Sequence, residues 1–288
     1  MPITGTTRLL AVIGDPVRHS FSPLMHNAAI AHMGLDYAYV ALPIAAADLA
    51  VAVRGFEAIG LAGFNITIPH KQAILPLLDE VSEVTQAVGA VNTVHWTGSG
   101  WAGTNTDVEG FLAPLMAMER DWSQVKALVM GNGGAARAVV AGCAQLGCAE
   151  IHVVGRSAEK LVAFKQSWAE SALDENLQVH SWDALGELIP GAGLVVNTTP
   201  VGMSPRLEAS PVSQAVIGKV KAGAIAYDLI YVPNPTRFLS EAQERGAIAI
   251  NGLEMLVQQG AAALKIWTQQ EVPVEIMRRV LKEHLGLQ

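Results

Sequence analysis

Apolar positions fall in short unbroken runs that alternate with amphipathic stretches. Leu9-Leu10-Ala11-Val12-Ile13 is continuous and stops at Gly14-Asp15-Pro16, as a parallel strand buried on both faces does. Ser22-Pro23 predicts a helix start, with Ser22 as cap and Pro23 at the first helical position. Residues 37–42 read as the next strand, 47–59 as a helix, and 61–68 as a third strand. Residues 90–95 read as a further strand, followed by the hairpin-like turn Thr97-Gly98-Ser99-Gly100. After a helix over 108–118, strands at 125–130, 151–154, 194–197 and 224–229, with a helix over 135–146, form a run of βα units. Near Asn251 the strand pattern gives way to amphipathic helices over 254–268 and 274–285. These patterns predict two α/β domains, a discontinuous one over 1–108 plus 252–288 and a second over 109–251, with a cleft between them.

Composition narrows the class. With 288 residues, 51% hydrophobic and 16% charged, the chain can bury two substantial cores. A net charge of −7 without a block of Lys or Arg argues against a nucleic-acid partner. No apolar run reaches membrane-spanning length, the Ala-rich stretch near Ile44 being broken by Asp48, so no membrane partner is expected. Met1-Pro2-Ile3-Thr4 opens no signal-peptide pattern, and a cytoplasmic location is expected. Cys143 and Cys148 form neither a metal cluster nor a disulfide framework and read as buried or spare thiols. His19, His26 and His70 lack metal-ligand spacing, so local hydrogen bonding is their expected use and no metal is expected.

Two polar segments are poor core material in so apolar a chain. Asn65-Ile66-Thr67-Ile68-Pro69-His70-Lys71 ends a strand-like run, and Gly103-Thr104-Asn105-Thr106-Asp107 follows another. A Lys–Asp pair brought together there could move a proton to or from a substrate oxygen, although Asp107 could instead cap the helix beginning near Val108. Ser20 and Ser22 lie at alternate positions just past a strand's carboxyl end. They could offer hydroxyls to a carboxylate or a diol, or serve turn and cap.

Gly131-Asn132-Gly133-Gly134-Ala135-Ala136 follows a strand and opens a helix with Gly-x-Gly-x-x-Ala spacing. The first Gly permits the tight turn, the second lets backbone approach a pyrophosphate, and Ala136 permits close helix–strand packing. At the end of the second strand stand Gly155-Arg156-Ser157 and then Lys160, where a carboxylate would favour NAD. A guanidinium and an ammonium suit a 2′-phosphate, so NADP is the expected cofactor. Arg156 could otherwise be a solvated residue at a helix start.

Together these segments resemble the shikimate dehydrogenase family. The resemblance continues through Ala90-Val91-Asn92-Thr93, Asn197-Thr198-Thr199, Tyr227-Asp228-Leu229-Ile230-Tyr231 and Asn251-Gly252-Leu253-x-Met255-Leu256-Val257-x-Gln259, spanning nearly the whole chain. It implies an N-terminal substrate domain, a Rossmann-type NADP-binding domain, and reversible NADPH-dependent reduction of 3-dehydroshikimate to shikimate. That step belongs to chorismate and aromatic amino-acid biosynthesis. It assigns Ser20 and Ser22, assisted by Tyr231, to the substrate carboxylate. Thr67, Lys71, Asn92, Asp107 and Gln259 are assigned to the ring hydroxyls and reacting carbon, with Lys71 and Asp107 as the catalytic pair. On the cofactor side it implies Gly131, Asn132, Gly133, Gly134 and Ala135 at the pyrophosphate, and Arg156, Ser157 and Lys160 near the 2′-phosphate. Leu229 and Gly252 fall to the nicotinamide pocket, and Thr198 and Glu83 to cofactor contact.

Two positions depart from the family pattern. Gly155 stands where many members carry Asn, and Leu229 where Met also occurs. A quinate-active paralogue would carry an acid after the second strand and a Thr for one substrate serine, and neither is present. A non-catalytic NADP sensor would lack Lys71 or Asp107, and another hydroxy-acid dehydrogenase would not need the paired serines together with Gln259. The chain is compatible with a monomer or a homodimer.

Overall fold

The computed structural model describes residues 2–169, 171 and 175–287 and divides into two compact units, Met1–Gly110 with Leu256–Gln288, and Phe111–Met255. The first contains β1 (Arg8–Gly14), α1 (Ser22–His32), β2 (Tyr37–Pro43), α2 (Leu49–Ala58), β3 (Gly63–Ile66), α3 (His70–Ala73), β4 (Glu80–Val81), α4 (Glu83–Val88), β5 (Thr93–Trp96), β6 (Trp101–Thr104) and the start of α5 (Asp107–Met116). The second contains β7 (Lys126–Met130), α6 (Gly134–Gln145), β8 (Glu150–Gly155), α7 (Ala158–Gln166), β9 (Leu177–Ser181), α8 (Leu185–Leu188), β10 (Leu194–Asn197), α9 (Gln214–Ile217), β11 (Ile225–Asp228), α10 (Arg237–Gln243) and β12 (Ile248–Ile250). The division falls inside α5 and inside α11 (Leu253–Thr268), and α12 (Val274–Leu285) belongs to the first unit.

In the first unit the strand order is β2-β1-β3-β5-β6-β4. β1 runs parallel to β2 and β3, whereas β3–β5 and β5–β6 are antiparallel. The continuous apolar run explains β1, whose last five residues are buried. Ala11, Ile13, Phe56, Phe64 and Trp101 form part of the core under α2. Gly63 admits the indole of Trp267, which donates to the Val94 carbonyl at 2.9 Å; a Cβ there would overlap the ring. One expectation fails at α1. Ser22 is its first residue, Phe21 occupies the cap position, and no side chain caps the helix.

The second unit has the order β12-β11-β10-β7-β8-β9, with every pairing parallel. Numbered from β7, this is the doubly wound 3-2-1-4-5-6 arrangement of dinucleotide-binding folds. Its core includes Leu128, Met130, Val195, Ala226 and Phe238. Phe111 stacks on Tyr227 at 5.3 Å between centroids, and a Cβ at Gly142 of α6 would strike the Phe111 ring. Cys143, in α6, and Cys148, just past its end, are free and buried, and Cys148 N donates to the Cys143 carbonyl at 3.0 Å.

Candidate active site

In the first unit, α3 and the start of α5 bring Lys71 and Asp107 into an ion pair, with the two side chains 15% and 8% exposed. α3 follows the turn that ends β3, where His70 N donates to Thr67 O at 3.0 Å and the His70 ring bonds the Ile44 carbonyl at 2.7 Å. Lys71 Nζ donates to Asp107 Oδ2, and Asn92 Nδ2 donates to Oδ1 at 2.8 Å. Asp107 therefore does not cap α5 with its carboxylate. Asn105 Oδ1 accepts from Asp107 N at 3.0 Å and closes that turn.

Asn92 is buried and holds its pose through many bonds. Its Oδ1 accepts from Thr106 N at 2.8 Å and from Thr93 Oγ1 at 2.9 Å. Its Nδ2 also reaches Thr106 Oγ1 at 2.9 Å and Gln259 Oε1 at 3.4 Å. The structure thus joins Lys71, Asn92, Asp107 and Gln259, although Gln259 comes from α11 far along the chain. Thr67 stands at the end of β3, its methyl against Gly14; its side chain makes no hydrogen bond to this group among the described residues. Ser20 Oγ accepts from Ser22 N at 3.2 Å, and Ser22 is buried. Tyr231 lies in the second unit, in the loop after β11, and is half-buried.

Sequence reasoning gave no role to Asn65, Thr93, Thr106 or Tyr39, all of which bond into the same group. Asn65 and Thr106 stood in the polar segments already singled out, and Thr93 stood beside Asn92 in a family motif; that was the available signal. His26 also differs from expectation. Neither ring nitrogen has a hydrogen-bond partner among the described residues, and burial pushes the imidazole down to about 3.

The nucleotide motif folds as its glycines require. Gly131 has φ +111° and donates to the Val154 carbonyl at 2.9 Å, and a Cβ there would press on Thr198 Oγ1. Thr198 Oγ1 in turn donates to Met130 O at 2.8 Å. Gly133 precedes α6 with no side-chain cap and open space where a Cβ would sit, followed by Gly134 and Ala135 in the first turn. Asn132 Nδ2 is buried without a hydrogen-bond partner. An uncapped helix N-terminus with an orphaned donor fits a bound pyrophosphate. Ser157 caps α7 by accepting from Lys160 N at 3.3 Å, while Arg156 and Lys160 are exposed at the same strand end. Gly155 has a packing reason: a Cβ would lie 2.9 Å from Leu161 Cδ2 and 3.3 Å from Asn132 Cγ. Leu229 and Gly252 meet directly, since a Cβ on Gly252 would overlap the Leu229 carbonyl. Glu83 is the exposed first residue of α4, in the first unit.

Buried Asp228 ends β11. Burial raises its carboxyl to about 6, despite donors from Thr236 Oγ1 at 2.7 Å, Asn197 Nδ2 at 3.0 Å and Ile230 N at 3.1 Å. These bonds fix the β10 and β11 ends beside Thr198 and Leu229. Among the described residues, no group of three or more His, Cys, Asp or Glu could hold a metal, and no helix is long and apolar enough to cross a membrane.

A parallel doubly wound unit with this glycine loop, in one chain with a unit carrying a Lys–Asp pair, defines an NADP-dependent oxidoreductase. The family profile described as the shikimate dehydrogenase substrate binding domain matches residues 12–94, and that of the shikimate 5′-dehydrogenase C-terminal domain matches 252–282. The NADP(+) shikimate dehydrogenase of Trichormus variabilis is 61% identical over 287 residues, 99% of each chain. A shikimate dehydrogenase crystallised with NADP+ superposes with a TM-score of 0.90 at 36% identity, covering 99% of this chain and 98% of that one. The Thermus thermophilus enzyme, crystallised with NADP(H) and shikimate, gives 0.83 at 34% identity over 96% and 99% of the two chains. The chain belongs to the shikimate dehydrogenase family.

Proposed function

We propose that this protein catalyses the reversible, NADPH-dependent reduction of 3-dehydroshikimate to shikimate, on the route to chorismate and the aromatic amino acids. The observation that carries the reading is the Lys71–Asp107 pair, fixed by Asn92, in the unit that matches the substrate-binding profile.

Reducing a ketone needs a hydride on carbon and a proton on oxygen. Bound NADPH supplies the hydride. The Lys71–Asp107 pair exchanges the proton with the substrate oxygen, and the Lys71 ammonium steadies charge developing there. Asn92 and Gln259 hold ring hydroxyls beside the pair, with Thr67 at the edge of the same group. Ser20 and Ser22 are assigned to the substrate carboxylate, and Tyr231 assists them on the family resemblance. Backbone N–H groups of Gly131 to Ala135, with Asn132, hold the pyrophosphate. Arg156, Ser157 and Lys160 take the 2′-phosphate. Leu229 and Gly252 line the nicotinamide site, and Thr198 and Glu83 are assigned to cofactor contact. We place the enzyme in the cytoplasm, as a monomer or homodimer.

The test is NADP+ reduction with shikimate, followed by NADPH absorbance, beside quinate and beside NAD+. Turnover with shikimate and NADP+, and little with either alternative, supports the whole reading. Folded protein that binds NADPH but oxidises neither ring would overturn it.

A further inference from the structure

Tyr39 lies on β2, an edge strand of the first sheet, yet is only 1% exposed. Its ring stacks on His26 with centroids 4.1 Å apart and planes 8° from parallel. Phe would fill that space equally well, so the hydroxyl needs its own explanation: a buried phenol costs stability unless its O–H is partnered. The partner is Asn65 Oδ1, at 2.7 Å.

The bonds continue in one direction. With its oxygen engaged by Tyr39, Asn65 turns Nδ2 toward Thr93 Oγ1 at 3.0 Å and the Asn92 carbonyl at 3.1 Å. Thr93 Oγ1, accepting from Asn65, donates to Asn92 Oδ1 at 2.9 Å. Asn92, its oxygen thus occupied, presents Nδ2 to Asp107 Oδ1 at 2.8 Å. Each link agrees in donor–acceptor sense with the next, and the main chain keys the same sense: the Asn92 carbonyl accepts from Asn65 Nδ2, and Thr106 N donates to Asn92 Oδ1 at 2.8 Å. Without the phenol, Asn65 Oδ1 is a buried acceptor lacking a donor, and the flipped amide would bring its oxygen against the Asn92 carbonyl.

We propose that Tyr39 is a positioning residue: its hydroxyl sets the amide of Asn65 and, through Thr93 and Asn92, the Asp107 carboxylate that faces Lys71. The inference rests on the function proposed above for its kinetic consequence, but the hydrogen-bond relay itself does not.

The experiment compares wild type, Tyr39→Phe and Thr93→Val, the last breaking the relay one link later without touching the ring stack. Kinetically, kcat for shikimate oxidation should fall about 5- to 20-fold in each, the scale of a lost buried hydrogen bond, with the KM for NADP+ unchanged. Introduced into Asn92→Ala, where the relay is already cut, Tyr39→Phe should cost less than twofold more. Structurally, the Asn92 side-chain amide signals in asparagine-labelled protein should move in both single variants, whether or not shikimate is the substrate. A kcat within twofold of wild type in both variants would overturn the proposal. So would an undiminished Tyr39→Phe effect in the Asn92→Ala background, or unmoved Asn92 signals. Absent shikimate turnover in wild type with shifted Asn92 signals would instead sink the substrate assignment and leave the relay standing.

Discussion

The side-chain amide of Asn92 donates to Asp107 Oδ1 at 2.8 Å and leaves Oδ2 to the Lys71 ammonium. One carboxylate is thereby held by a neutral donor on one oxygen and a cation on the other. Such a carboxylate cannot rotate to follow the cation, so Lys71 Nζ is presented from a fixed partner. Lys71→Ala is expected to lower kcat by about 10²–10⁴-fold, the usual range for a general acid–base group, with a smaller change in KM. Steady-state kinetics check this, and an unchanged kcat removes Lys71 from the chemistry.

Arg156 and Lys160 are the cations at the end of β8, and both are exposed. Arg156→Gln is expected to raise the KM for NADP+ by about 10- to 100-fold, the range of one charge-assisted hydrogen bond, and to change that for NAD+ little. Equal effects on the two cofactors would mean that the guanidinium does not read the 2′-phosphate.

Close approach of backbone to backbone makes Gly252 the least replaceable glycine near the nucleotide motif. A Cβ there would overlap the Leu229 carbonyl, and main chain cannot swing aside as a side chain can. Gly252→Ala is expected to cost about 1–3 kcal/mol of stability, as overpacking does, and to lower the melting temperature of the apo protein. Gly133→Ala, where a Cβ meets open space, is the control and should melt within a degree or so of wild type. Equal melting of the two variants would show that the loop after β11 yields freely.

The parts legible in the sequence are those in which local pattern and burial agree. After their exposed first residues, Arg8 and Lys126, β1 and β7 are apolar because both faces are covered, and the glycine loop follows from a turn only glycine makes easily. β9 escaped because Leu177–Ser181 lies at the sheet edge and buries only its first residue fully. β12 is three residues long and α10 seven, too short for a period to declare itself. Ser22 resembled a cap, but the chain turns one residue early and Phe21 takes the cap position. The Lys71–Asp107 ion pair could be read because Asn-x-Thr-x-Pro-x-Lys and Thr-Asn-Thr-Asp are anomalous in an apolar chain. The relay behind it could not, because Tyr39, Asn65 and Thr93 come from three different strands whose pairing no local pattern encodes.

His26 sets an acid-side liability in the first unit. Burial lowers its imidazole to about 3, against 6.5 for the free group, so the folded protein holds it neutral while the unfolded chain takes up a proton. The stability it contributes is fully present above pH 6.5 and is lost as pH falls toward 3. Because neither nitrogen has a hydrogen-bond partner among the described residues, His26→Phe sacrifices no bond and keeps an aromatic ring over Tyr39. The variant is expected to lose less stability than wild type between pH 6.5 and 4.5, by denaturant titration. Parallel curves would mean that the imidazole is solvated before unfolding.

Asp228 works in the opposite sense in the second unit. Its carboxyl is raised from 3.8 to about 6, so between these values the folded state binds the proton more tightly than the unfolded chain. Unfolding there releases a proton, and stability falls as pH rises, the full cost being reached above about 6. Burial is the cause, and the donors from Thr236, Asn197 and Ile230 recover part of the cost of the charge. At 1.36 kcal/mol per unit the ceiling is about 3 kcal/mol, reduced by whatever solvent reaches the site. Asp228→Asn retains an oxygen for Asn197 and Ile230 and offers Thr236 an N–H in place of an acceptor, while removing the ionisation. Relative to this variant, wild type is expected to lose about 1–3 kcal/mol of stability from pH 4 to pH 7, read as the difference between two denaturation series. A wild-type advantage that grows over that interval would show the carboxylate to be net stabilised where it sits, with the three donors outweighing burial.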